Sequence, residues 1–183
     1  MEALLTRFAV PRRAVLACLL VSAGLIAGAH AFERVGGMAP CLLCLDQREA
    51  HWAALGVGAA LLGLAQVGAA RLVAAGLGAL AVVYLFSAGL AGFHAGVEWG
   101  WWPGPDGCAP ATEASLAGLG TDDILGSLDR AGPAGPSCSE AAWRMLGVSM
   151  AGYNALISAG LAVLAGAACA LFARRMDRGV VRA

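Results

Sequence analysis

The chain has no lysine, and charged residues are scarce: 13 % of 183 positions, against 60 % that are apolar. That balance, with a mean hydropathy of +0.74, excludes an ordinary soluble globular domain. No ten-residue stretch alternates apolar and polar positions, which excludes a membrane β-barrel. Basic residues form no patch beyond short arginine flanks, so nucleic acid is not an expected partner. Leu45 stands where covalent haem attachment through C-x-x-C-H requires histidine.

What is present is a set of long apolar runs. Four of them, at about residues 14–31, 51–70, 72–95 and 148–173, are long enough to cross a hydrocarbon core of about 30 Å. Gly56, Gly58, Gly63, Gly76 and Gly78 crowd two of these runs, as expected where membrane helices pack closely. The expected fold is all-α: one domain over residues 1–183, a four-transmembrane-helix bundle with outer loops at about 32–50 and 96–147. Only Arg71 and its neighbours separate the second and third runs, which predicts a tight helical hairpin.

With lysine absent, orientation rests on arginine. Arg7, Arg12, Arg13, Arg71, Arg174, Arg175, Arg178 and Arg182 fall on one side, and Arg34, Arg48, Arg130 and Arg144 on the other. The positive-inside rule then places both termini and the hairpin turn in the cytoplasm. Arginines, an apolar stretch and Ala29-His30-Ala31 also fit a signal peptide with an A-x-A cleavage site. The stretch is longer than most signal cores, so its retention as a span is expected.

The six cysteines divide by position. Cys18 and Cys169 lie inside apolar runs and read as small packing residues. Cys41, Cys44, Cys108 and Cys138 all fall in the outer loops, where an oxidising compartment permits disulfides. Four cysteines allow three pairings, and adjacency favours Cys41–Cys44 with Cys108–Cys138. The second pair closes a loop worth on the order of 3.5 kcal/mol in the chain-entropy model. Three uses compete: structural clamps, a zinc site with all four cysteines as ligands, or thiol–disulfide exchange.

The stretch "APCLLCLDQREAHW" supplies what exchange needs. A helix opening at Pro40 puts Cys41 and Cys44 on one face, with Arg48 four residues beyond Cys44. The positive helix end and the guanidinium both lower a thiol pKa. The alternative start is Asp46 as N-cap, with Glu49 reaching back. Taking Arg71 as the turn, Arg48 lies 23 residues before it and His94 lies 23 after it. At equal rise the two reach one height on adjacent antiparallel helices, and Glu98 follows His94 one turn later. Within the later outer loop, Thr121 or Asp122 can cap a short helix whose apolar face is Ile124, Leu125 and Leu128.

These residues resemble the disulfide bond formation protein B family (DsbB), bacterial membrane quinone reductases. The likeness rests on the four spans and on Pro40-Cys41-x-x-Cys44 followed by Gln47-Arg48. It extends to the two loop cysteines and to Cys138, Trp143, Leu146, Gly147 and Met150 in "CSEAAWRMLGVSM". The vitamin K epoxide reductase family shares the bundle but places its C-x-x-C after the loop cysteines, the reverse of the order here. The resemblance implies a protein-disulfide oxidoreductase of the bacterial inner membrane with periplasmic cysteines. It implies redox-active disulfides Cys41–Cys44 and Cys108–Cys138. A reduced thioredoxin-fold (DsbA-like) oxidase would attack Cys108 in a mobile loop. Cys138 would then attack Cys41, and Cys44 would remain as a thiolate against a quinone of ubiquinone type. By the same likeness Arg48, His94 and Met150 form the quinone pocket, Arg48 stabilising the charge. The expectation of a different kind is a membrane protein whose outer-loop cysteines are structural disulfides or a zinc site.

Overall fold

The computed structural model describes residues 8–105, 108 and 136–179. Within them the apolar runs are helices: α1 (Ala9–Arg34), α2 (Leu42–Gln66), α3 (Ala70–Glu98) and α4 (Met150–Asp177). A small antiparallel hairpin, β1 (Arg144–Met145) with β2 (Val148–Ser149), leads directly into α4. The short helix expected around Ile124 lies outside the described residues.

Among the described residues the protein is all-α apart from that hairpin. By length and hydropathy α1, α3 and α4 are each able to cross a membrane. In α2 the first turns carry Asp46, Gln47, Arg48, Glu49 and His51, which lowers its apolar content. Each helix packs on its sequence neighbour and α1 also meets α4, which closes the bundle; the α3–α4 contact is the most extensive. Phe8 against Phe172 marks one end, and Phe32 against Trp143 marks the other. Val15, Cys18, Leu61, Leu77, Leu80 and Tyr84 belong to the buried core between the helices.

Polarity is inverted relative to a water-soluble protein. Ser22, Gln47, His51, Ser87, His94 and Ser158 are buried, while Leu20, Val82, Phe86 and Val163 face outward. An apolar solvent favours that arrangement, because backbone groups are satisfied within helices and side-chain polar groups must find partners inside. The expected close helix packing at glycine holds at Gly58, where a side chain would collide with Leu19, and at Gly76, where it would meet Leu61. Gly56 and Gly63 face open space, and Gly78 has only ordinary contact with Cys169.

The α2–α3 turn is not centred on Arg71. Gly68 takes φ +73°, a conformation that costs other residues a clash at Cβ, and α3 has already begun at Ala70. Arg71 lies in the first turn of α3, because an arginine is accommodated in a helix whereas the left-handed position demands glycine. At β1–β2, Leu146 (φ 51°) and Gly147 (φ 81°) form a two-residue turn with both central residues left-handed, the twist that two short strands accept best. Ser149 then caps α4, its hydroxyl accepting the Gly152 N–H at 3.2 Å.

Candidate active site

Helix α2 starts at Leu42, one turn before Asp46 and two residues after Pro40, so neither expected start is the observed one. The cap is Cys41 itself: its sulfur accepts the Cys44 N–H at 3.3 Å. An i, i+3 spacing across a helix start then brings the two sulfurs to 2.8 Å as free thiols. The favoured Cys41–Cys44 pairing is thus an open pair here; closing it to an S–S bond of about 2.05 Å would remove two electrons and two protons.

The pair is electronically unequal. Cys44 is brought down to about 7, first because the Cys41 S–H donates to its sulfur; burial and the Glu98 carboxylate oppose this, and Arg48 adds a smaller lowering. Cys41 is driven up by the same shared proton and by burial. The guanidinium lowers the Cys44 value, as the sequence leads one to expect, but is not the main cause. It is engaged elsewhere: Arg48 Nη1 pairs with Glu33 Oε2 at 2.5 Å, and Nη2 donates to the Ala29 carbonyl at 3.4 Å, both on α1.

His94 also stands differently from the hairpin count. With the turn centred at Gly68, its counterpart is Leu42 rather than Arg48. Its ring lies 3.6 Å from Cys41 Sγ and 2.7 Å from the Gln47 side-chain nitrogen. Arg48, His94 and Met150 do line one cavity of about 360 Å³, together with Cys41 and Cys44. Leu25, Ile26 and Ile157 supply part of its apolar wall.

Cys108 and Cys138 are joined by a disulfide (S–S 2.06 Å, Cα–Cα 5.0 Å). That bond removes the zinc site built from all four cysteines, since disulfide sulfurs offer no thiolate to a metal. It also corrects the picture of an exposed loop pair. Cys108 is 3 % and Cys138 0 % exposed, and both pack with Cys41, Leu43 and Val97 in one buried cluster. Main-chain pairing of Cys138 N–H with the Cys108 carbonyl (3.0 Å) and close approach of Gly104 to Cys108 hold them there.

The family model described as Disulfide bond formation protein DsbB matches residues 11–168, well over half of the chain. The chain belongs to the DsbB family. No curated protein and no solved structure matches it. As a DsbB-family chain it is a multi-pass membrane protein of disulfide formation with disulfide oxidoreductase activity.

Sequence reasoning about this DsbB-family site missed most of the polar residues behind the dithiol. Gln47 Oε1 accepts from Asn154 Nδ2 at 2.7 Å, and Asn154 Oδ1 meets His51 Nε2 at 2.9 Å and the Ser158 hydroxyl at 3.2 Å. His51 Nδ1 lies 3.1 Å from the Ser22 hydroxyl, itself 2.8 Å from the Tyr84 hydroxyl, so four helices share one hydrogen-bonded chain. The available signal was polar residues one turn apart inside apolar runs: Gln47 with His51, and Asn154 with Ser158. Glu98, expected on the His94 face, has Oε1 at 3.8 Å from His94 Nε2. Its buried Oε2 has no hydrogen-bond partner among the described residues.

Proposed function

We propose that the chain oxidises a soluble thioredoxin-fold disulfide oxidase and passes the electrons to membrane quinone of ubiquinone type, sustaining protein disulfide formation. The observation that carries this reading is the packing of the Cys108–Cys138 disulfide against Cys41, which with Cys44 lines an apolar cavity. A thiolate of the reduced partner attacks Cys108, the Cys108–Cys138 bond breaks, and Cys138 leaves as a thiolate. With Cys41 and Cys44 first oxidised to a disulfide by quinone, Cys138 attacks Cys41, the Cys41–Cys44 bond breaks, and Cys44 leaves as a thiolate. The partner's second thiol closes its own disulfide and releases Cys108, which recovers Cys138. Two electrons and two protons then rest on Cys41 and Cys44. Each step has a thiolate as attacker and a thiolate as leaving group, as exchange requires. Cys44, with its pKa about 7, is the better leaving sulfur of its pair.

A quinone accepts two electrons and two protons when the dithiol returns to a disulfide. The cavity fits a flat apolar ring: its volume is about 360 Å³, and Cys44, Arg48, His94 and Met150 would hold the ring on its walls. In this reading the apolar part of α2 from His51 onward is the fourth span, and its first turns with Cys44 lie outside it. Both termini and the Gly68 turn are cytoplasmic, and the cysteines face the periplasm of a bacterial inner membrane, as arginine placement favours.

Thiol trapping of Cys41 and Cys44 in isolated membranes, with quinone depleted and then restored, tests the reading in a Cys108→Ser/Cys138→Ser background. Oxidation only after quinone is restored is the expected result. Thiols that stay reduced with quinone present, or oxidise equally without it, overturn the assignment of the acceptor.

A further inference from the structure

One main-chain carbonyl decides the protonation of two buried histidines. The Leu43 carbonyl can only accept, and the Gln47 side-chain nitrogen donates to it at 3.1 Å. That contact settles which end of the amide is nitrogen. The same nitrogen has a second hydrogen and lies 2.7 Å from His94 Nδ1. An amide nitrogen never accepts, so Nδ1 must accept and carries no proton. The neutral ring then has its proton on Nε2. Around Nε2 stand acceptors: Cys41 Sγ at 3.6 Å and Glu98 Oε1 at 3.8 Å. Both sides of the ring therefore demand one tautomer. The other end of the amide extends the rule, since Gln47 Oε1 takes the Asn154 N–H and leaves Asn154 Oδ1 to accept from His51 Nε2.

We propose that Gln47 is a positioning residue that locks His94 as a neutral Nε2–H donor aimed at the Cys41 sulfur, and thereby also denies that ring to a metal ion. Cys41, Cys44 and His94 offer ligand atoms within 4.8 Å of one another, a grouping suited to zinc. Ligation at Nε2 needs that nitrogen free and a proton on Nδ1, and metal-bound histidines hold that proton with an acceptor. Gln47 presents a donor there instead. In the relay, on which the catalytic half of this inference rests, Cys41 gives up its proton once Cys44 is engaged. An N–H aimed at its sulfur stabilises the charge that forms. The metal-excluding half stands without the relay.

The wild-type ring is itself the first test. Long-range nitrogen–proton correlation spectra of histidine-labelled full-length protein in detergent should show His94 protonated on Nε2 alone. A ring protonated on Nδ1 at neutral pH overturns the proposal, whatever the quinone assay shows. Gln47→Glu replaces the donor by an acceptor, so the proton should move to Nδ1. In reduced Cys108→Ser/Cys138→Ser protein, the same substitution should make cobalt(II) bind at least tenfold more tightly, with thiolate-to-metal absorption that His94→Ala abolishes. Equal cobalt affinity in the Gln47→Glu variant and in protein that keeps Gln47, or a gain that survives His94→Ala, refutes the lock. A correct tautomer with no quinone-dependent oxidation of the dithiol would reject the relay and leave Gln47's role intact.

Discussion

At the residue scale, the inequality of Cys41 and Cys44 comes from a shared proton. Cys41 accepts one main-chain N–H as helix cap and faces the His94 ring, yet it still has a proton to donate to Cys44. The spacing of Cys41 and Cys44 was legible because i, i+3 residues meet on a helix. The identity of the main donor was not, since Arg48 at i+4 looks equally suited until Glu33 on another helix is seen to hold it. Alkylation rates of the reduced dithiol against pH should show one thiol titrating near 7. Cys41→Ala should raise that midpoint by more than Arg48→Met does, because the substitution removes the largest lowering influence. A larger shift from Arg48→Met would return the guanidinium to the leading role.

At the element scale, the helices follow from run length and apolar content, whereas their ends follow from single residues. Gly68 sets the α2–α3 turn, and Gly147 sets the hairpin that aims Ser149 at the start of α4. Leu146 occupies a left-handed position that suits asparagine better, and it is 92 % exposed. Leu146→Asn should therefore raise the thermal midpoint in detergent slightly, whereas Gly147→Val should lower it by the equivalent of about 1–2 kcal/mol. If Gly147→Val leaves the midpoint unchanged, the turn does not direct α4. Ser149→Ala should cost about 1 kcal/mol through loss of the cap, measured by the same melt.

At the scale of the whole molecule, the two cysteine pairs share one cluster, so the proposed exchange between them needs no long passage. In the proposed relay, replacing Cys138 with Ser removes the resolving thiol. Cys108 should then accumulate a mixed disulfide with a thioredoxin-fold protein on non-reducing gels. Only monomer in the presence of reduced partner would show that the attack does not begin at Cys108. The reduced dithiol should also couple to stability. Cys44 lies near 7 in the folded protein against an ordinary 9.0, so between these values the unfolded chain binds more protons. Stability should rise with pH across that window, be complete above it, and be lost as pH falls through about 7. Cys41, driven up, works in the opposite direction only above the ordinary thiol value. Melting the reduced and oxidised forms of the Cys108→Ser/Cys138→Ser protein from pH 6 to 9 checks this (roughly the window the linkage rule defines); the oxidised form should lack the rise.

Apolar runs by themselves determined that this chain is helical and membrane-seated, because a hydrocarbon solvent leaves so few alternatives for the backbone. Cysteine spacing and the "PCLLC" and "WRMLGVSM" stretches carried the likeness to the DsbB family, since those signals are local in the chain. The partnership of side chains from different helices was decided only by the tertiary structure. Moving the turn from Arg71 to Gly68 slides α2 against α3 by about 9 Å, six residues at the helical rise. His94 meets Cys41 and Gln47, while Arg48 turns to Glu33 on α1. Register of that kind depends on where a left-handed glycine lets the chain reverse and on how neighbouring helices interlock, and neither can be read from a count along one strand of sequence.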